Sequence, residues 1–252
     1  MRKIRVIPRL DIKFPNLIKG VRMEGLRVVG NPADFAHDYY DQGADELLYM
    51  DTVASLYERN TISDLVEKTA ENVFIPITVG GGIRSLDDAK SILRSGADKL
   101  AINTAVLKTP GLIREISESF GNQCVVLSVE AKKIAENKWE AYYDNGREKS
   151  GVDVMEWVSR AHSLGVGEII VTSVDREGTQ KGFEIDLIKR VCDISKVPVI
   201  ASGGMGKLGH IQDLLNETNV DAIAFAHSLH YKKETVFSIK NFIKQLGFEV
   251  RI

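Results

Sequence analysis

The chain has 252 residues, 44% of them apolar and 27% charged, enough for one large α/β domain or two small ones with a sizeable core. A formal net charge of −2 gives no reason to expect nucleic acid as a partner, and no apolar run reaches membrane-spanning length. The apolar stretch after the basic residues 1–5 is too short for a secretory signal. The two cysteines, Cys124 and Cys192, sit in apolar runs and read as buried free thiols, so a cytosolic protein is expected.

In chain order, short apolar runs at 5–11, 46–51, 75–79, 99–103, 124–130, 168–173, 197–202 and 222–226 predict strands. Amphipathic stretches at 32–42, 61–70, 86–95, 111–120, 153–164, 184–193, 208–217 and 233–246 predict helices between them. Eight strand-helix units in a chain of this length predict a single (β/α)8 TIM barrel over residues 1–252. The one insertion, 132–151, carries Asp144-Asn145-Gly146 and predicts a surface hairpin beside the fifth strand.

Two segments repeat one design about half a chain apart. Thr78-Val-Gly-Gly-Gly-Ile83 leads after a helix-length gap to Ala101-Ile-Asn-Thr-Ala105, and Ile200-Ala-Ser-Gly-Gly-Met-Gly206 leads to Ala224-Phe-Ala-His-Ser228. Gly43-Ala-Asp-Glu46 is likewise echoed by Gly165-Val-Gly-Glu168. The repeat predicts two half-barrels, about 1–122 and 123–252. A glycine turn frees backbone N–H groups, and a following helix N-terminus attracts an anion. Two such grips predict a substrate with a phosphate at each end.

Strand parity then sorts the side chains. On the first strand Val6, Pro8 and Leu10 should face outward, leaving Arg5, Ile7, Arg9 and Asp11 inward. On the fifth, Val125, Leu127 and Val129 should face outward, with Val126, Ser128 and Glu130 inside. Asp11 and Glu130 become opposed carboxylates at the C-terminal barrel end, where barrel active sites lie. Such a pair can divide acid and base roles if its environments separate the two pKa values; the plainer alternative is two salt-bridged strand ends. At the other end Arg5, Glu46, Lys99 and Glu168 open four strands with alternating charge, which fits either solvated strand ends or a salt-bridged ring closing the barrel floor. Lys19-Gly20 belongs to a loop able to fold over the site. Asp51 and Asp175 could bind hydroxyls or cap helices, and Thr104, Thr179 and Ser228 could donate to phosphate. His227 falls within the second grip, and the five histidines show no metal-ligand spacing.

Over essentially its whole length the chain resembles the cyclase subunit of imidazole glycerol phosphate synthase. The resemblance rests on Ile7-Pro8…Leu10-Asp11, Lys19-Gly20, Asp45-Glu46-Leu47, Val79-Gly-Gly-Gly-Ile83, Ala97-Asp98-Lys99, Ile102-Asn103-Thr104-Ala105, Thr172-Ser173, Gly178-Thr179 and Ala201-Ser-Gly-Gly204. It implies that Asp11 and residue 130 are the acid-base pair. It places substrate and phosphate contacts at Lys19, Gly81, Gly82, Asn103, Thr104, Thr172, Glu177, Gly178, Thr179, Ser202, Gly203, Gly204, Ala226, His227 and Ser228. It also implies that a glutaminase docks on the N-terminal barrel face and that its ammonia passes the ring of Arg5, Glu46, Lys99 and Glu168. The ammonia would attack a bisphosphorylated ribulosyl-formimino-aminoimidazole carboxamide ribotide, giving imidazole glycerol phosphate and an aminoimidazole carboxamide ribotide, with no metal or organic cofactor.

The chain departs from the family pattern on the catalytic side alone. Glu130 stands where aspartate is usual, and Arg9 where cysteine is usual. The loop reads Lys13-Phe-Pro-Asn-Leu-Ile-Lys19-Gly20, and Asp175-Arg-Glu-Gly-Thr179 replaces Asp-Arg-Asp-Gly-Thr. An inward Arg9 needs a carboxylate partner, for which Asp11 is nearest, and the pairing should lower the Asp11 pKa. Two alternatives therefore stand beside the cyclase: a paralogue passing ammonia to a nucleotide-sugar amidation in surface-polysaccharide synthesis, and the related sugar isomerase of the same pathway.

Overall fold

The computed structural model describes residues 2–54 and 62–251. After β1 (Arg5–Lys13) the chain doubles back through an antiparallel hairpin, β2 (Asn16–Val21) and β3 (Glu24–Gly30). It then adds β4 (Leu47–Asp51), β5 (Ile77–Gly80), β6 (Lys99–Ile102) and β7 (Val125–Ala135) in parallel. A second antiparallel excursion follows, β8 (Lys138–Tyr143) and β9 (Glu148–Asp153). The parallel series resumes with β10 (Glu168–Ser173), β11 (Val199–Ser202) and β12 (Ala222–Phe225). β12 pairs with β1 and β10 pairs with β7, so eight parallel strands close on themselves as a (β/α)8 barrel.

Both faces of each barrel strand are covered, and all five residues of β4, Leu-Leu-Tyr-Met-Asp, are buried. Parity sorts them as expected. Val6, Leu10, Val125, Leu127 and Val129 pack outward into the main core with helix residues such as Val66, Ile92 and Ile239. Ile7, Leu48, Met50, Ala101, Val126, Ile170, Ile200, Ala222 and Ala224 form a separate apolar cluster inside the barrel. The helices begin where the sequence supplies caps. Asn31 accepts from the Ala33 amide just before Pro32, Asp153 accepts from the amides of Met155 and Glu156, and Thr235 forms a capping box with Ser238.

The barrel foot is fastened by a repeated clamp. The amide of Asp45 donates to the Val6 carbonyl while its carboxylate accepts the Val6 amide. Asp98 does the same to Ile77, and Asp221 to Val199. At the fourth corresponding place Gly167 keeps the backbone bond alone, to the Val125 carbonyl. Asp45 also holds Lys240, whose Nζ lies 2.8 Å from Oδ1 and reaches the carbonyls of Gly43 and Arg251.

The eight strands and eight main helices lie where the periodicity placed them, except that residue 61 at the start of the second helix lies outside the described residues. Three features differ. The loop expected around Lys19 is the β2–β3 hairpin. Two short helices, Thr104–Lys108 and His227–His230, follow β6 and β12, where the sequence shows a single turn. Residues 132–151 do form antiparallel structure beside β7, but the 144–146 turn faces the barrel mouth and not bulk solvent, because its Gly146 amide is bonded to Glu130. Cys124 is buried and Cys192 only half-buried, both as free thiols. Among the described residues no helix is long and apolar enough to cross a membrane.

Lys240 is almost wholly buried, and among the described residues Asp45 has no other cation within salt-bridge distance. Lys240→Ala should therefore cost about 3–5 kcal/mol of unfolding free energy by leaving a buried carboxylate unpaired, as read from urea denaturation with an unchanged m-value.

Candidate active site

At the C-terminal barrel end the side chains of β1, β7, β10 and β11 meet two cavities. The larger, about 230 Å³, is lined on one side by Gly81, Gly82, Asn103 and Thr104, and on the other by Glu130, Asp144 and Asn145. The smaller, about 20 Å³, is lined by Glu177, Gly178, Ser202, Gly203, Gly204, Ala226, His227 and Ser228. Arg9 borders both.

The glycines are dictated by crowding. Gly81 has φ +99°, and a Cβ there would lie 2.2 Å from the Asp51 carbonyl oxygen. Gly204 has φ +106°, and a Cβ would lie 2.1 Å from the Gly182 oxygen. The residues opening the two short helices share one uncommon backbone shape: Asn103 at φ −134°, ψ −81° and Ala226 at φ −130°, ψ −76°. Neither helix start carries a side-chain cap, so the first-turn amides face the cavities uncapped. In the second cavity the buried Ser228 hydroxyl has no hydrogen-bond partner among the described residues. Two amide-rich cradles of one design therefore face each other across the barrel mouth, each suited to a phosphate.

Four ionised groups fill the space between them. Arg9 Nε donates to Asp11 Oδ1 at 2.8 Å, and its Nη1 donates to Thr172 Oγ1 at 2.9 Å and Ser202 Oγ at 3.2 Å. Lys19, brought in by β2, is buried against Asp11 Oδ2 at 3.1 Å and against Glu177. Burial alone would raise the Asp11 pKa, but the adjacent Arg9 and Lys19 overcome it and hold the carboxyl down at about 2. Lys19 is pushed up despite its burial by Glu177 and Asp11, so it stays charged. Glu130 experiences the opposite. Burial pushes it up to about 7, only partly offset by the Gly146 amide at 2.7 Å and by Arg9. The two carboxyls are thus set apart, Asp11 held ionised and Glu130 pushed up towards neutrality.

Most residues singled out in the sequence are brought together, although several, Lys19 among them, line neither cavity. Asp11 lines neither cavity, because Arg9 and Lys19 enclose it. Thr172 touches Arg9 and not a cavity. Thr179 lines neither cavity, because its hydroxyl donates to the Arg176 carbonyl within its own turn. Asp175 accepts from the Lys133 amide and so ties β7 to the loop after β10. Asp51 accepts from the amides of Val53 and Ala54 while bordering the larger cavity. Behind the second cradle His230 contacts the Tyr39 hydroxyl at 2.7 Å, and burial lowers its pKa to about 4, so it is neutral.

Sequence reasoning passed over Arg84, Lys108, Asp144 and Asn145, which also line the larger cavity. The usable signals were the cation directly after the Gly-Gly-Gly-Ile turn and the Asp-Asn-Gly turn read as plain surface. At the barrel foot Arg5 pairs with Glu46 and Glu168, and Lys99 lies 3.1 Å from Glu46 and 2.9 Å from Glu168. All four charges form the closed ring, floored by an open depression of about 420 Å³.

Fold and site together define a (β/α)8 barrel with two matched, amide-rich cradles at the C-terminal mouth. The family model described as histidine biosynthesis protein matches residues 5–235, and the chain belongs to that family. It is 63% identical over 208 residues to the imidazole glycerol phosphate synthase subunit HisF of Legionella pneumophila, covering 82% of this chain and 98% of that one. It is 45% identical over 248 residues to HisF of Bacillus cereus (strain Q1), covering 98% of both. With HisF of Streptococcus sanguinis (strain SK36) it shares 44% identity over 252 residues, the full length of each. The sugar-amidation alternative draws no support from these relatives.

The raised Glu130 pKa has a stability consequence. The folded state holds this proton more tightly than the unfolded chain, so stability is present below about pH 4.5 and lost as pH rises through 7. Glu130→Gln keeps an acceptor for the Gly146 amide and removes the titration. Relative to wild type it should gain about 3 kcal/mol between pH 4 and pH 8, measured by chemical denaturation at both pH values.

Proposed function

We propose that this chain is the ammonia-dependent cyclase subunit of imidazole glycerol phosphate synthase and that Asp11 and Glu130 are its base and acid. The relatives named as this subunit support the activity. The observation that carries the site assignment is a pair of buried carboxyls at the barrel mouth with opposite pKa shifts, Asp11 paired with Arg9 and Lys19 and Glu130 on the wall of the larger cavity.

In this reading the glycine turns and short-helix amides hold the two phosphates, fixing the ribulosyl chain across the mouth without reacting. Ionised Asp11 removes the proton that the attacking ammonia must lose, and protonated Glu130 supplies the proton that the departing oxygen needs. Lys19 on the β2–β3 hairpin keeps Asp11 charged and covers the site. A glutaminase subunit docks over the depression around Lys3, Arg5 and Lys99. Its ammonia passes the charged ring and ascends past Ile7, Leu48, Val126 and Ile170, an apolar lining that favours the neutral molecule over ammonium. The repeated aspartate clamps at the foot and the matched cradles at the mouth support two half-barrels, about 1–122 and 123–252, as the building units.

Purified chain supplied with the bisphosphorylated substrate and an ammonium salt should release imidazole glycerol phosphate. Absence of turnover would sink the cyclase reading. Asp11→Asn should lower kcat by about 10²–10⁴-fold with substrate affinity nearly unchanged; a large rise in dissociation constant would remove its role as base. Lys99→Ala should alter glutamine-driven turnover in the assembled complex more than ammonium-driven turnover, and equal effects on both would remove the ring from the ammonia path.

A further inference from the structure

One group in the site is used by no step above. Arg9 projects inward from β1 directly above Ile7 and reaches across the lumen to Thr172 on β10 and Ser202 on β11. Since β12 and β11 lie between β1 and β10 in the barrel, the side chain forms a chord over the apolar interior, at the point where anything rising along the axis enters the site. Nε and Nη1 are fully directed by Asp11, Thr172 and Ser202, which fixes the guanidinium plane. Nη2 has no hydrogen-bond partner among the described residues, although Arg9 is 96% buried (4% exposed). Its two N–H groups belong to the one side chain that borders both cavities.

A plane-locked pair of donors on a side chain bordering both cavities is suited to an oxygen acceptor on the middle of the ligand. The charges around it decide which oxygen. Arg9 and Lys19 are balanced by Asp11 and Glu177, so a further carboxylate or phosphate is not required to neutralise the cluster, and a neutral carbonyl fits. The substrate of the proposed reaction is a ketose held at both ends, and its carbonyl is the electrophile that ammonia meets.

We infer that Arg9 is a catalytic residue whose Nη2 edge binds and polarises the ketose carbonyl oxygen for attack by ammonia emerging from the lumen. This inference rests on the cyclase reading above. In the step, the ammonia lone pair forms the C–N bond and the C=O π pair moves onto oxygen, where the Arg9 N–H groups hold the growing charge. The surplus proton on nitrogen passes to Asp11, and the oxygen takes the proton of Glu130, leaving a neutral carbinolamine. Both reacting components are thus met by one side chain: the carbonyl on its Nη2 edge, and the proton acceptor on its Nε edge.

The test compares ammonium-driven steady-state kinetics of wild type, Arg9→Ala and Arg9→Lys with the bisphosphorylated substrate. Arg9→Ala should lose about 10²–10³-fold in kcat with KM within threefold, and millimolar guanidinium chloride should restore turnover in proportion to its concentration. A purely structural Arg9 would not be rescued in that way. If Arg9→Ala does not fold, Arg9→Lys decides, because it keeps a cation beside Asp11 but lacks the Nη2 edge; it should lose at least tenfold in kcat. Arg9→Ala with wild-type kcat, a loss confined to KM, a loss without guanidinium rescue, or Arg9→Lys with wild-type kcat would overturn the inference while leaving the cyclase reading intact. A wild-type chain without turnover would remove the cyclase reading, and this inference with it.

Discussion

A charge carried into a barrel interior has to find its opposite there, since water is not available to solvate it. This constraint organises the molecule from foot to mouth. Inward positions recur every second residue along a strand, so β1 alone delivers Arg5, Ile7, Arg9 and Asp11 to successive depths. At the bottom Arg5 is met by Glu46 and Glu168; at the top Arg9 and Lys19 are met by Asp11 and Glu177. Between the two charged layers most inward side chains are apolar and pack together, with Ser128 and Thr78 as uncharged exceptions. The interior is a stack in which a charged floor and a charged roof are separated by a largely apolar middle.

The roof shows how one environment can set two carboxyls to opposite tasks. Asp11 and Glu130 are both buried at the same end of the barrel. What differs is company. Asp11 has two cations in contact, whereas Glu130 has one backbone amide in contact and feels Arg9 only through space. Desolvation dominates where the partner is neutral and is overcome where the partners are charged. Arg9 sits on the side of Asp11, and this asymmetry separates the pair.

Much of this was legible in the residues. The alternation of apolar runs with amphipathic stretches yields all eight strand-helix units, because strand and helix periods differ enough to be told apart over ten residues. Parity alone places Arg9 beside Asp11 and aims Glu130 inward, since a strand leaves only two directions to choose from. The depression of the Asp11 pKa follows from that placement. What periodicity could not give was the shape of the connections. Residues 16–30 pair as a hairpin through contacts with β1 that no local pattern announces. The 144–146 turn carries the residues of an exposed loop, yet it lies over the site because β8 and β9 lean across the barrel mouth to reach Glu130. Lys19 reads only as a lysine on a loop able to fold over the site until its two buried acidic partners, from β1 and from the loop after β10, are brought beside it.

The β2–β3 hairpin is fastened at several points to structure distant in sequence. Lys19 is paired with Asp11 and Glu177, the Arg22 amide donates to the Glu177 carbonyl at 2.7 Å, and the Asn145 side chain donates to the Met23 carbonyl. Its ties run to three separate stretches of the chain, the end of β1, the loop after β10 and the 144–146 turn, so no single contact alone holds the hairpin in place.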